Sequence, residues 1–227
     1  MVETTLRDGG VTSDPRLTRI EQFDERSRDY RAVDSIKHDE PRSYTWRCSE
    51  YLNQGKEGAC VGFGITHELM ARPTTCAGDV ALARYIYNEA KKIDPWEGED
   101  YEGTSVLAGV KVAQNLGYFD SYYWCFSVEE LAMAIGYRGP AVLGVAWFQG
   151  MYTPSAEGFI YPIGKQIGGH CILCNGVNIK YEFFSLHNSW GEGWGVGGDC
   201  YMSFEDMETL LKAGGEAVMF TGRKKIK

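Results

Sequence analysis

Cys60 stands where a thiol can be made reactive. The glycine-bearing loop Gln54-Gly55-Lys56-Glu57-Gly58 leads into an apolar run, Cys60 to Met70, that reads as a buried helix. A helix N-terminus favours negative charge, so it lowers the pKa of a thiol placed there and favours the nucleophilic thiolate. The residue could equally be one more buried cysteine, and the local sequence leaves the two readings even. A thiolate nucleophile works with an imidazole that takes and returns a proton, and the chain has four histidines. His67 lies further along the same helix, roughly 10 Å away at ~1.5 Å per residue, too far for direct pairing. It reads as a core-edge histidine. His38 falls in a charged stretch and His187 abuts Asn188 in a strand, and no motif surrounds either. His170 follows Gly168-Gly169, which gives close access, and heads an apolar strand that could hold it rigidly. By elimination it is the best partner.

The string Asn188-Ser189-Trp190-Gly191-Glu192-Gly193-Trp194-Gly195 is more specific. An Asn can accept the imidazole N–H and fix its tautomer, and a neighbouring Trp can shield that hydrogen bond from water. The plainer alternative is a tryptophan-rich turn closing a β-hairpin. Cys171 and Cys174 form a CxxC pair without a second pair to complete a metal set. Positions three apart on a strand face opposite sides, so both read as structural cysteines.

The elements that must position these residues change character along the chain. Residues 1–43 are dense in alternating charges and poor in core formers, as expected of an arm on the surface or partly disordered. The globular part runs 44–227, a helical portion over roughly 54–138 followed by a stranded portion over roughly 139–220. Val80 to Lys92 reads as a helix with cationic residues at its end. Thr104 can cap the next, with Gly117 at its stop, and Ser127-Val128-Glu129-Glu130 is a capping box opening a fourth. Ala141 to Phe148, Gly158 to Tyr161, His170 to Ile179, Tyr181 to His187 and Asp199 to Phe204 read as strands, and Ser203 can cap a last helix to Lys212. Helices first and strands second indicate an α+β protein of two lobes, with room between them for a long substrate.

Composition narrows the class. At 227 residues, 44% hydrophobic and 24% charged, the chain can bury a sizeable core. A net charge of −8 argues against nucleic acid as partner. The basic end, Arg223 to Lys227, reads as a solvated tail. No apolar run is long enough for a membrane helix, and Met1 to Gly10 lacks the apolar core of a secretory signal. Seven scattered cysteines without such a signal point to reduced thiols and an intracellular setting. No cofactor or metal is expected.

Taken together, Gln54 to Cys60, Gly169-His170 and the Asn188–Gly195 string resemble the papain family of cysteine peptidases. The order Gln, Cys, His, Asn and the Gln54–Cys60 spacing match the family's. Glu102-Gly103-Thr104-Ser105, Gly139-Pro140-Ala141-Val142 and Gly158 to Tyr161 are similar to its other segments, so the likeness spans roughly Tyr44 to Phe204. The resemblance implies a two-lobe fold with a helical N-terminal lobe, an antiparallel, β-barrel-like C-terminal lobe and a cleft between them. It implies an endopeptidase in which Cys60 attacks a peptide carbonyl, His170 is acid and base, Asn188 orients His170, and Gln54 serves an oxyanion hole. Gly103 would pair with substrate backbone. Ser105, Ala141 and Gly168 would line a roomy side-chain pocket of apolar or aromatic preference, with Gly169 and Trp190 beside it.

The sequence also departs from the family. Glu57 stands where a disulfide cysteine is usual, and Val61 where a Trp is usual. His170 and Asn188 follow Cys60 by 110 and 128 residues, against about 130–150 in the family. The chain resembles a trimmed prokaryotic or viral member, monomeric, acting on peptides or proteins, and virion-associated if phage-encoded. The alternatives are a catalytically silent module on the same fold, a cell-wall peptide hydrolase, or a transferase using the same acyl-enzyme.

Overall fold

The computed structural model describes residues 3–22, 24–36, 40–98 and 101–226, which leaves His38 and Lys227 outside the described residues. After a small hairpin, β1 (Thr4–Thr5) with β2 (Val11–Thr12), and two 3-10 turns, the globular part opens on β3 (Tyr44–Thr45). Helix α1 (Cys60–Met70) is mostly apolar and every residue in it is buried, including Thr66, His67 and Glu68. Its N-cap residue, Ala59, has no side-chain acceptor for the first-turn N–H groups. Helix α2 (Val80–Ile93) is capped by Asp79, whose carboxylate accepts from Leu82 N–H at 2.8 Å, and it ends in Lys91 and Lys92. Helix α3 (Val106–Asn115) is capped by Ser105, not by Thr104: Ser105 Oγ accepts from Ala108 N–H at 3.1 Å. The Thr104 hydroxyl donates instead to Asp94 Oδ2 at 2.7 Å.

Strand β4 (Ser121–Trp124) leads to α4 (Val128–Tyr137), where Ser127 accepts from Glu130 N–H. The reciprocal half of the box goes one residue earlier, Glu130 accepting from Phe126 N–H. Then come β5 (Ala141–Phe148), β6 (Gln166–Asn178), β7 (Phe183–His187), β8 (Asp199–Ser203), α5 (Phe204–Lys212) and β9 (Glu216–Thr221). Three sequence expectations shift. Gly158 to Tyr161 makes only a bridge, Phe159 with Tyr201. Strand β6 begins at Gln166, ahead of His170, and β7 begins after a turn in which Glu182 takes φ 52°.

The sheet has seven strands in the order β4-β9-β5-β6-β7-β8, with β3 paired to β6 and every pairing antiparallel. It is open, ending on β4 and β8, so the closed, barrel-like lobe that the resemblance implied is not formed. Both faces of its centre are buried, which explains the unbroken apolar runs of β5 and β6. Val142, Cys171, Leu173 and Val218 face the core shared with α1 and α3. Ala141, Leu143, Ile172 and Cys174 face the core shared with α4 and α5. Cys171 and Cys174 thus lie on opposite faces as buried thiols, and all seven cysteines are free.

Two terminal expectations are corrected. Arg223 is no solvated residue: its side chain is 6% exposed and pairs with the fully buried Glu68 of α1. The N-terminal arm is no loose surface strand where it nears the core, since Leu17, Thr18 and Ile20 are buried.

Candidate active site

Cys60 is the first residue of α1 and is fully buried. Helix α1 crosses β6 closely enough that a Cβ on Gly64 would come within 2.8 Å of Cys171 Sγ. The sulfur of Cys60 interacts with the backbone of Cys171, the neighbour of His170. Burial pushes the Cys60 thiol up, while hydrogen bonds from the backbone of Cys171, Thr18 and Val61 and from the Thr18 hydroxyl oppose that shift.

His170 sits on β6 opposite Val145 and is fully buried. Its Nε2 donates to Asn188 Oδ1 at 2.8 Å, and that oxygen also accepts from Ser189 N–H at 2.8 Å. This leaves Nδ1 without a hydrogen bond among the described residues. Trp147 meets the imidazole edge-on at 4.8 Å between ring centroids, and Trp190 lies over it at 5.0 Å. The two tryptophans exclude water from the His170–Asn188 bond. The same burial drives His170 down to about 4, with the Asn188 bond opposing, so the imidazole is neutral at pH 7.

Gln54 is locked from two sides. Its N–H donates to Ser189 O at 2.9 Å, and its Oε1 accepts from Ser189 Oγ at 2.7 Å. The amide nitrogen Nε2 therefore points the other way, donating to Glu57 O at 2.8 Å and to Arg16 O at 3.3 Å. Ser189 was not singled out in the sequence, yet it fixes Gln54 and lies next to Asn188.

The arm runs through this cleft. Thr18 Oγ1 donates to Gly58 O at 2.6 Å and lies 3.9 Å from Cys60 Sγ. Arg19 N–H donates to Gly169 O and Ile20 N–H to Thr104 O, both at 3.0 Å. The extended backbone is thus gripped from both lobes. A side chain at Gly103 (φ +94°) would collide with Thr18 O, and one at Gly169 with Arg19 O. At Gly168 it would lie 2.7 Å from Leu17 O, so these glycines permit the close approach. The Arg16 guanidinium lies 4.1 Å from the Trp190 ring centre and pairs with Asp14, itself held by Tyr152.

The structure brings together Gln54, Cys60, His170, Asn188, Gly103, Gly168, Gly169 and Trp190. It does not bring Ser105 or Ala141 to the pocket. The Ser105 hydroxyl caps α3 and meets Gln22 of the arm. Ala141 is sealed in the core on the α4 side of β5. Gly144, further along β5, faces the arm in its place, and its absent Cβ would lie 2.7 Å from Arg19 Nε. His67 is buried, its Nε2 accepting from Leu52 N–H at 3.0 Å. His187 packs edge-on against it and pairs with Asp199.

Among solved structures, the chain is similar to xylellain, a cysteine protease from Xylella fastidiosa, with a TM-score of 0.71 and 15% identity over 95% of this chain and 98% of that one. It is similar to procathepsin L 3 of the Tenebrio molitor larval midgut, with a TM-score of 0.57 and 16% identity over 92% and 75%. Bromelain from Ananas comosus, in complex with the E64 inhibitor, aligns with a TM-score of 0.53 and 16% identity over 80% and 99%. No protein-family model matches the sequence, and no curated protein matches it either. The fold is that of the papain-like cysteine proteases.

Proposed function

We propose that the chain is a papain-like cysteine peptidase that hydrolyses peptide bonds through Cys60, His170 and Asn188, with the N-terminal arm covering the cleft in the form described. The supporting observation is the His170 Nε2–Asn188 Oδ1 bond of 2.8 Å beside Trp190, which leaves Nδ1 as the ring nitrogen for proton exchange. With the arm in place the dry site keeps thiol and imidazole neutral. Departure of the arm admits water and substrate, and the N-terminus of α1 then favours the thiolate, with its proton on His170 Nδ1. The thiolate forms a C–S bond to the substrate carbonyl carbon. Gln54 Nε2 and the Cys60 backbone N–H hold the oxyanion, the role in which Arg16 O now engages Gln54. His170 gives its proton to the leaving nitrogen as the C–N bond breaks. Water then attacks the thioester, His170 accepts its proton, and that proton returns to sulfur as the acid departs.

A catalytically silent module on the same fold would not need His170, Asn188, Ser189 and Gln54 joined by hydrogen bonds beside a helix that opens on a cysteine. The test is hydrolysis of a fluorogenic peptide library by the full chain carrying Arg19→Ala, which weakens the arm. Turnover that disappears in Cys60→Ala and in His170→Ala supports the reading. Turnover that survives Cys60→Ala overturns it.

A further inference from the structure

The Arg19 side chain fills a buried hole in the cleft. Gly144 of β5 opens that hole: a Cβ there would lie 2.7 Å from Arg19 Nε, 2.6 Å from Val106 Cγ2 and 3.0 Å from Glu216 Oε2. Glu216 opens β9 directly opposite Gly144 and stands at the floor. Arg19 Nε donates to Glu216 Oε2 at 3.1 Å, Nη2 pairs with the same oxygen, and Nη2 also donates to Gly214 O at 3.1 Å. The Arg19 side chain is only 4% exposed and that of Glu216 13%. The Arg19 backbone, meanwhile, is part of the extended segment gripped by Gly169 and Thr104, one residue from the Thr18 that covers Cys60. Any extended peptide held by the same two backbone partners presents a side chain to this hole.

The chemistry of the hole is that of a cation receptor. A carboxylate and a backbone carbonyl are acceptors only, and a forked guanidinium satisfies both. An apolar side chain here would bury Glu216 without a partner, a costly arrangement. Burial already pushes the Glu216 carboxyl up, and the Arg19 cation opposes that shift. We infer that the Glu216 pocket makes the cleft select peptides bearing an arginine or lysine side chain, with Arg19 as its internal occupant. This replaces the apolar preference expected from small lining residues. It rests on the cleft being a peptide-binding site and deepens the peptidase reading.

Full-length Arg19→Ala, with the pocket vacated, is profiled on fluorogenic peptides carrying arginine, lysine, citrulline, leucine or phenylalanine at each position in turn. At one position kcat/KM for arginine exceeds that for citrulline or leucine by ~30-fold or more, the range expected for a desolvated charge pair. Adding Glu216→Gln removes that ratio while leucine peptides are still cleaved. An unchanged ratio in Glu216→Gln, or a preference for phenylalanine, overturns the inference and leaves Arg19–Glu216 as a staple for the arm. Absence of any cleavage would count against the peptidase reading alone. The pocket is then read by binding of a labelled peptide of arm sequence, residues 14–22, to the Cys60→Ala, Arg19→Ala chain. Tighter binding of the arginine peptide than of its citrulline form, lost with Glu216→Gln, supports the pocket. Equal binding overturns it.

Discussion

Among single residues, the proposed chemistry depends on which atoms each side chain turns toward the cleft. Gln54 Nε2 is turned toward the arm because Ser189 holds the other end of the amide, and the donor that now meets Arg16 O is the one offered to an oxyanion once the arm leaves. Gln54→Ala in the arm-weakened chain is expected to lower kcat by ~10²–10³-fold with a small change in KM, read on a peptide substrate. An equal loss in KM alone would assign Gln54 to ground-state binding. His170 supplies a second prediction. An imidazole in the unfolded chain titrates near ~6.5, whereas burial holds His170 at about 4 in the closed site. Its folded value is depressed, so the closed state is fully stable above the unfolded value and loses stability as pH falls from there toward about 4. The loss reaches ~3 kcal/mol, and urea midpoints at pH 7, 5.5 and 4 should track it; a profile unchanged by His170→Phe would exclude His170 as the cause. The proposed constellation of Cys60, His170, Asn188 and Gln54 could be named from the sequence because each has a short flanking motif. Ser189 and Glu216 were not, since their meaning depends on partners 135 and 197 residues away in sequence.

Among the elements, the arm is where sequence and structure part most. Its alternating charges read as solvated, yet several of those charges are paired. Arg7 is buried against Asp94 of the α2 C-cap, with Nε to Oδ1 at 3.2 Å, and donates to Lys91 O at 2.9 Å. Charge density marks surface only when partners are absent, and sequence does not show the partners. Leu17 and Ile20, three apart within the charged run, were the available signal for a docked segment. Arg7→Ala unpairs Asp94 and should release the arm, speeding modification of Cys60 by a thiol reagent several-fold. A labelling rate equal to wild type would show that the cleft contacts alone hold the arm. Helices α1 and α2 were legible through their apolar runs and the last three through their caps, and the one misassigned cap, Thr104 for Ser105, reflects two adjacent hydroxyl residues with one bonded to Asp94. Strands β4 and β9 were missed because β4 forms only by pairing with β9, and β9 by pairing with β4 and β5.

For the whole molecule, the open sheet joins the two ends of the chain around the site. Strand β9 carries Glu216 into the cleft, and the segment after it returns across α1 to place Arg223 on Glu68. Arg223→Ala leaves Glu68 as a buried, unpaired carboxylate and should cost ~3–5 kcal/mol in urea unfolding at pH 7. The double change Arg223→Met with Glu68→Leu should recover most of it, and a single mutant within ~1 kcal/mol of wild type would contradict the buried pairing. The antiparallel sheet and helical lobe followed from the sequence, but its failure to close did not, because closure depends on tilt and register and not on residue pattern. The central claim is that Cys60 is an activated thiol covered by the arm. The most direct test is a time course of labelling by an epoxide inhibitor of papain-like enzymes, read by intact mass and peptide mapping on wild type, Arg19→Ala and His170→Ala chains. The account predicts one adduct, on Cys60, faster in Arg19→Ala than in wild type and suppressed by His170→Ala. Failure of Cys60 to label in Arg19→Ala, or equal labelling of several of the seven cysteines, would contradict it.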